Sequence, residues 1–516
     1  MLVPYKPEAY LNFADPALRE KMLAAIKSVE GTLGREYPLL INGKRVMPGK
    51  TFASLNPSAH REIVGRVAKA GKKEAEQAIA AADAAFEQWR KTCPKMRAEY
   101  LFKAAAILRR RKLEFAAYQV LEVGKSWPEA DGDVAEAIDF LEFYGRQMID
   151  LAKPREITRI PGEDNDAFYI PLGVGVVIPP WNFPLAILVG MVTSALVAGN
   201  TVVLKPASPS AVIGAKFVEV LEEMDLPPGV VNFVPGSGAE IGDLLVDHPR
   251  TRFISFTGSK ETGLRIFERA SRVSSGQIWL KRVVAEMGGK DAIFVDDKVF
   301  DLDEVASETI KGAFGFQGQK CSACSRIIVH KKVYRDLVKR IVERAEKIKV
   351  GDVRDPGNYM GPVVDKSAFD KITSYIEIGK TEGKLAVGGT YDDKVGYFVS
   401  PTVFVDVPPT ARIAREEIFG PVLTVIKVDS FEEGMKVVNS TEYGLTGAFF
   451  SVHRDHIQIA KRDFHVGNLY INRRCTGALV GVHPFGGFNM SGTDSKAGGF
   501  DYLMQFTQQK VVSEYL

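Results

Sequence analysis

Cysteine is scarce in this chain: 516 residues hold only Cys93, Cys321, Cys324 and Cys475, too few for a disulfide framework. Reduced thiols in a cytoplasmic protein are the simpler expectation. Histidine is sparse as well, with 7 residues, and neither a second C-x-x-C nor a spaced His pair accompanies Cys321-Ser-Ala-Cys324, so no metal site is expected. Neither sign of charge is in excess: 67 Lys+Arg against 64 Asp+Glu leave a net charge of +3, and no basic block is interleaved with aromatics. Nucleic acid is not an expected partner. Long hydrophobic runs are missing too. The longest, residues 183–198, is interrupted by Pro184, Gly190, Thr193 and Ser194 and falls short of the roughly 20 residues a membrane span needs. It predicts a helix buried in protein. The opening run to Tyr10 has no basic stretch followed by an apolar one, so no secretion signal and no membrane partner are expected.

What the chain does have is length and 46% hydrophobic residues, enough for two or more cores in a globular enzyme. Residues 72–153 are rich in Ala, Glu, Arg and Leu at helical spacing, with Gly124 where a helix C-terminus favours it. The pattern then changes. Short apolar or β-branched runs at 173–178, 201–205, 230–234 and 253–256 alternate with helical stretches at 184–197, 211–224, 239–247 and 259–270. That alternation predicts βαβ units and a parallel sheet covered on both faces. A second series, with strands at 292–295, 326–330, 421–428, 447–451 and 467–471, predicts a second α/β domain. Residues 157–170, interrupted by Pro161-Gly-Glu-Asp-Asn165, read as an inserted antiparallel hairpin suited, like the C-terminal tail, to subunit contact.

Two runs carry chemistry. Cys321 sits in Phe314-Gly-Phe-Gln-Gly318-Gln-Lys320-Cys321-Ser322-Ala-Cys324, where glycines leave access and backbone N–H groups can face an oxyanion. Lys320 beside it is expected to favour the thiolate, the reactive form of a group that ordinarily titrates at about 8.5. Cys324 reads as a packing neighbour, with a reversible Cys321–Cys324 disulfide as the minor alternative. Glu286 follows apolar Val283-Val284-Ala285 and precedes Gly288-Gly289, so a partly buried strand end is expected to raise its pKa toward that of a useful base. A thiol and a carboxylate together suit nucleophilic acyl chemistry on a carbonyl.

Pro180-Trp181-Asn182-Phe183-Pro184 closes the first parallel strand, where Asn182 is a candidate oxyanion donor. Lys205 ends the next strand and is placed for a ribose or phosphate. Phe256-Thr-Gly258-Ser259-Lys-Glu-Thr-Gly263 runs from strand into helix and suits a pyrophosphate. The glycine run starting at Gly236 misses the dinucleotide spacing by one residue and reads as a turn.

Taken in order, Pro180-Trp-Asn-Phe-Pro184, Lys205-Pro206, Phe256-Thr-Gly-Ser259, Glu286-Met-Gly-Gly289, Gly318-Gln-Lys-Cys321 and Glu416-Glu-Ile-Phe-Gly-Pro421 resemble the aldehyde dehydrogenase superfamily, from about residue 37 to the C-terminus. The resemblance implies an α/β fold in which a Rossmann-type NAD-binding domain (1–153 and 172–283) joins an α/β catalytic domain (284–488), with an oligomerisation arm and tail (154–171 and 489–516). It implies Cys321 as nucleophile, Glu286 as base for the deacylating water, and Asn182 with the Cys321 backbone as oxyanion hole. Lys205, Ser208, Gly258 and Ser259 would face the adenosine and pyrophosphate of the cofactor, and Glu417 and Phe419 the nicotinamide ribose and ring. Ser208 stands where NAD-selective relatives often carry glutamate, so NAD is expected with some use of NADP. Gly315-Phe-Gln-Gly-Gln-Lys-Cys-Ser-Ala323 and Thr476-Gly477-Ala478-Leu-Val-Gly481-Val-His-Pro-Phe485 resemble members that oxidise L-glutamate γ-semialdehyde to L-glutamate in proline breakdown. That closer resemblance implies Ser322, Gly477 and Ala478 on the substrate carboxylate, Lys320 and Glu136 nearby, and Phe183 and Phe485 beside the aliphatic chain. A homodimer or larger homo-oligomer is expected.

Overall fold

Valine, isoleucine and phenylalanine form strands where both faces of a sheet are covered, and the first parallel series does so here. In the computed structural model, which describes residues 3–516, Val176, Val177, Val202, Val203 and Leu204 are wholly buried. Seven strands make the first sheet, in the order Arg282–Glu286, Thr251–Thr257, Val174–Ile178, Thr201–Leu204, Val231–Phe233, Leu39–Ile41 and Lys44–Val46. The first five run parallel, and the last two close the edge as an antiparallel hairpin. The expected boundary at 283/284 falls inside the Arg282–Glu286 strand, which pairs along its whole length with Thr251–Thr257.

The second sheet also has seven strands: Lys384–Val387, Thr402–Val405, Val422–Val428, Arg326–His330, Ala292–Val295, Thr446–Phe450 and Asn468–Ile471. Only the Lys384–Val387 edge is antiparallel. The apolar run becomes the helix Ala186–Val197, packed within the largest core, and no helix among the described residues is long and apolar enough to cross a membrane. Gly124, at φ 67°, ends the helix Lys112–Val123 in the left-handed region that glycine enters without a Cβ penalty.

One expected hairpin is replaced by a longer-range pairing. Residues 157–162 form no strand, and Glu163–Pro171 pairs antiparallel with the C-terminal Thr507–Tyr515 over nine residues. Alternation in sequence reports a strand but not its partner, which here lies more than 300 residues away. Sequence periodicity also leaves out the helix Pro16–Glu30, the antiparallel pair Thr51–Asn56 and Ala59–Ala68, and the helix Leu302–Phe314.

This topology sets the site. Asn182, Lys205, Gly258 and Glu286 all leave the C-terminal ends of first-sheet strands, while Cys321 lies just before the second-sheet strand Arg326–His330. Glu286 is joined to that second sheet by the short link to Ala292.

Candidate active site

The loop carrying Cys321 is held in an unusual backbone conformation. Phe316, Gln317 and Gly318 have φ of 48°, 57° and 66°, which is costly for the two non-glycine residues, roughly 1–3 kcal/mol each. Surrounding contacts enforce it. Gln317 Nε2 donates to the carbonyls of Gly124 (2.9 Å) and Pro362 (2.8 Å), and Gln319 Oε1 accepts from Val364 N–H (2.9 Å). A Cβ on Gly318 would stand 2.3 Å from the Gly420 carbonyl oxygen, so only glycine fits that turn.

Glu286 and Cys321 open into one cavity of about 350 Å³. Its wall includes every residue assigned by resemblance to the substrate: Glu136, Phe183, Lys320, Ser322, Gly477, Ala478 and Phe485. The Glu286 carboxylate accepts from Ser495 Oγ (3.0 Å) and Gly487 N–H (3.2 Å). Burial outweighs these bonds and pushes its pKa up to about 8.

The expectation for Lys320 is corrected. Its ammonium turns to Glu129 Oε1 at 2.7 Å and is committed there rather than to the nucleophile. Burial pushes the Cys321 thiol well above its ordinary range, and the Asp291, Glu417 and Glu286 carboxylates add to the shift. The resting group is therefore a thiol. Glu129, which the motifs did not flag, reaches the cavity from the helix Trp127–Leu151.

Asn182 is buried, and its Nδ2 spends one hydrogen on the Gln319 carbonyl (3.0 Å). The second hydrogen of that amide has no protein acceptor among the described residues. Ser322 Oγ lies 3.0 Å from Thr476 Oγ1, tying the nucleophile's loop to the loop at 476–481. There, Arg473 Nη2 binds the carbonyls of Thr476 (3.0 Å) and Gly477 (3.1 Å). In a trans peptide the N–H points opposite to the C=O, so the Gly477 and Ala478 N–H groups face together away from that guanidinium, an arrangement suited to an anion. Gly477, at φ 88°, makes the turn possible. Across the cavity, burial first and Asp133 second push Glu136 up to about 8. Lys125, with no solvent exposure, lies 4.3 Å from the Phe183 ring centre and 4.8 Å from that of Phe316.

A second group of residues stands beside this cavity. Gly258 N–H donates to the Glu286 backbone carbonyl (3.1 Å), and Ser259 Oγ caps the helix Lys260–Ala270 by accepting from Thr262 N–H (3.3 Å). Lys205 is buried, its Nζ meeting, among the described residues, only the Pro206 carbonyl at 3.4 Å, and desolvation lowers its pKa to about 8. Exposed Ser208 begins the short turn Ser208–Ser210, three residues on. Glu417 Oε1 accepts from Gly289 N–H (2.9 Å), and a Cβ on Gly288 would come within 2.3 Å of that carboxylate. Phe419, at φ 62°, packs edge-on against Trp181 with ring centres 5.6 Å apart.

Cys324 belongs to the core. Its Sγ donates to the Arg326 carbonyl (3.4 Å), and it shares a core cluster with buried Cys475, whose Sγ donates to the Ser322 carbonyl (3.5 Å). Asp296, Asp297 and His453 bring ligand atoms within 4.8 Å of one another, a cluster the sequence spacing did not suggest. Lys332 Nζ already lies 2.6 Å from Asp297 and His456 Nδ1 2.7 Å from Asp296, so these acids have protein partners.

A thiol, a near-neutral buried carboxylate and an amide donor at the junction of two α/β sheets define an oxidoreductase site for aldehydes, and the chain belongs to the aldehyde dehydrogenase family, which residues 46–512 match. Within that family it is similar to the 1-pyrroline-5-carboxylate dehydrogenase of Geobacillus kaustophilus (strain HTA426), 58% identical over 514 residues with both chains covered in full. Among solved structures, 1-pyrroline-5-carboxylate dehydrogenase from Thermus with bound NAD superposes with a TM-score of 0.98 at 51% identity, covering 100% of each chain. Proline utilization A from Bdellovibrio bacteriovorus gives a TM-score of 0.97 at 46% identity, covering 99% of this chain and 53% of that one.

Proposed function

We propose that this chain oxidises L-glutamate γ-semialdehyde, the open form of 1-pyrroline-5-carboxylate, to L-glutamate with NAD, as a cytoplasmic homo-oligomer serving proline degradation. The observation that carries the reading is one cavity whose wall holds Cys321, Glu286, the paired Gly477 and Ala478 N–H groups and the Glu136 carboxyl. A substrate with an aldehyde at one end and an α-carboxylate and α-ammonium at the other calls for that combination. The 1-pyrroline-5-carboxylate dehydrogenases named above support it.

Cys321 Sγ releases its proton to bulk solvent and bonds, as the thiolate, to the aldehyde carbon. Asn182 Nδ2 and the Cys321 backbone N–H hold the resulting oxyanion. NAD, when bound, supplies the acceptor for the hydride that leaves this carbon, and a thioester on Cys321 Sγ remains. Glu286 then takes a proton from water as the water attacks the thioester, which frees the thiol and the product carboxylate. A base near pH 8 suits that task at neutral pH, being partly ionised yet basic enough to accept the proton. Gly477 and Ala478 N–H groups, with Ser322 Oγ, hold the substrate's carboxylate, and Lys320 and Glu136 lie beside its charged end. Phe183 and Phe485 flank the methylenes.

The residues beside the cavity fit the dinucleotide. Lys205 is a buried ammonium with one long contact, and Gly288 leaves an approach to Glu417 that any Cβ would fill. Lys205 and Ser208 are assigned to the adenosine ribose, Gly258 and Ser259 to the pyrophosphate, Glu417 and Phe419 to the nicotinamide ribose and ring. Without a carboxylate at Ser208 some use of NADP follows. The first seven-stranded sheet, as far as Glu286, is assigned to the cofactor and the second to the nucleophile, and the paired strands Glu163–Pro171 and Thr507–Tyr515 to subunit contact.

Cys321→Ala tests the reading. Turnover with the semialdehyde should vanish while NAD still binds with wild-type affinity; turnover at the wild-type rate would contradict it.

A further inference from the structure

The cavity has a wall outside residues 46–512, although the 1-pyrroline-5-carboxylate dehydrogenases named above are matched over their full length. The family match covers residues 46–512, yet Tyr10 and Leu11 line the cavity. They belong to residues 3–15, a segment without regular structure that runs over the helix Trp127–Leu151 before the helix Pro16–Glu30 begins.

Its attachments are specific. Two buried carboxylates of the Trp127–Leu151 helix accept from its backbone: Asp139 Oδ1 from Glu8 N–H (2.7 Å) and Asp131 Oδ2 from Leu11 N–H (2.8 Å). Lys112 Nζ donates to the Ala9 carbonyl (2.8 Å), and Phe13 packs edge-on against Trp127 at 5.5 Å. Buried carboxylates cost desolvation energy unless their partners are in place, so Asp131 and Asp139 favour the segment docked. The same segment touches the opposite wall. Tyr5 Oη donates to the Val480 carbonyl (3.0 Å), and the Tyr5 ring leaves no room for a Cβ on Gly481, which would come within 3.0 Å.

The segment thus bridges the two walls assigned above to opposite charges: the Glu136 helix and the Gly477 loop. Between those attachments, Tyr10 packs across Gly132, where an added Cβ would stand 4.0 Å from Tyr10 Cε1, and it lines the same cavity as Glu129, Asp131 and Glu136. An aromatic face beside carboxyls is a setting that binds an ammonium group.

We propose that residues 3–15 form a strap that sets the substrate selectivity of this cavity, holding the 476–481 loop against the Trp127–Leu151 helix and presenting the Tyr10 ring to the substrate's α-ammonium. The proposal rests on the semialdehyde reading of the site. It makes Tyr10 a specificity residue and Tyr5 a positioning residue.

The test measures kcat/KM for L-glutamate γ-semialdehyde and for propanal, which has no ammonium, in the wild type, Tyr10→Ala, Tyr10→Phe and Tyr5→Phe. Tyr10 is 62% exposed, so its replacement should leave the thermal midpoint nearly unmoved, which is measured alongside. The selectivity ratio should fall on the order of tenfold in Tyr10→Ala, through KM for the semialdehyde, and be restored in Tyr10→Phe, which keeps the ring. Tyr5→Phe should lower the ratio about threefold, as expected for one lost hydrogen bond. A ratio within twofold of wild type in Tyr10→Ala, or a loss not restored by Tyr10→Phe, overturns the strap's role while leaving the enzyme's activity assignment standing. A wild type with no preference for the semialdehyde overturns both.

Discussion

The carbonyl oxygen of Cys321 lies 2.6 Å from the point at which a Cβ on Gly289 would stand, so the nucleophile's loop and the glycine turn after Glu286 are packed backbone to backbone. The same point is 2.5 Å from Asp291 Oδ2. The Glu286-Met-Gly-Gly289 run is therefore a matched surface for the Cys321 loop as well as the carrier of the buried Glu286 carboxylate.

Gly289→Ala should displace that loop and lower kcat/KM on the order of 100-fold, since displacements near 1 Å have that effect on aligned reacting groups. Steady-state kinetics with a melting curve checks it. Loss of activity with a folded protein is expected.

Glu286→Gln should keep the first hydride transfer and lose its hydrolytic turnover. A stopped-flow trace should show a burst of NADH close to one equivalent per site, followed by a steady rate lowered by about 100-fold or more. In the wild type the base is needed ionised. The hydrolytic rate should therefore rise with pH through about 8 and level off above it.

Lys205 sits near pH 8 in the folded chain against its ordinary 10.5, a shift caused by burial. Between those values the unfolded chain binds more protons than the folded one, so this residue's contribution to stability grows as pH rises from about 8 to 10.5 and is lost as pH falls through about 8. Lys205→Met should remove that slope and stabilise the protein by ~2 kcal/mol at neutral pH. It should also weaken NAD binding. Urea unfolding at two pH values and a cofactor titration read both effects.

Ser208→Glu should restore a carboxylate beside Lys205. NADP use should fall about tenfold or more, by like-charge repulsion with the 2′-phosphate, while NAD use changes little. Paired kcat/KM values for the two cofactors check it.

Much of this architecture was legible in the sequence because local pattern and local structure coincide. The strands at 174, 201, 231, 251, 292, 326 and 422 begin within about two residues of their expected starts, since buried parallel strands announce themselves as apolar runs. Partners are another matter. The pairing of Glu163–Pro171 with Thr507–Tyr515, the ion pair of Lys320 with Glu129 and the contact of Cys324 with Cys475 all join distant residues, and no periodicity encodes them. Glu129 had one available signal: it lies on the same helix as Glu136, two turns earlier. Tyr10 and Leu11 had none, lying in a segment without regular structure.

A substrate panel separates a cavity that recognises an amino-acid aldehyde from one that accepts aldehydes in general. NAD reduction is measured with L-glutamate γ-semialdehyde, succinic semialdehyde, propanal and hexanal under one set of conditions. kcat/KM for the glutamate semialdehyde should exceed each of the others by on the order of 100-fold, because only that substrate pairs both the Gly477 loop and the Glu136 wall. Equal or greater kcat/KM for succinic semialdehyde or a simple alkanal would contradict it.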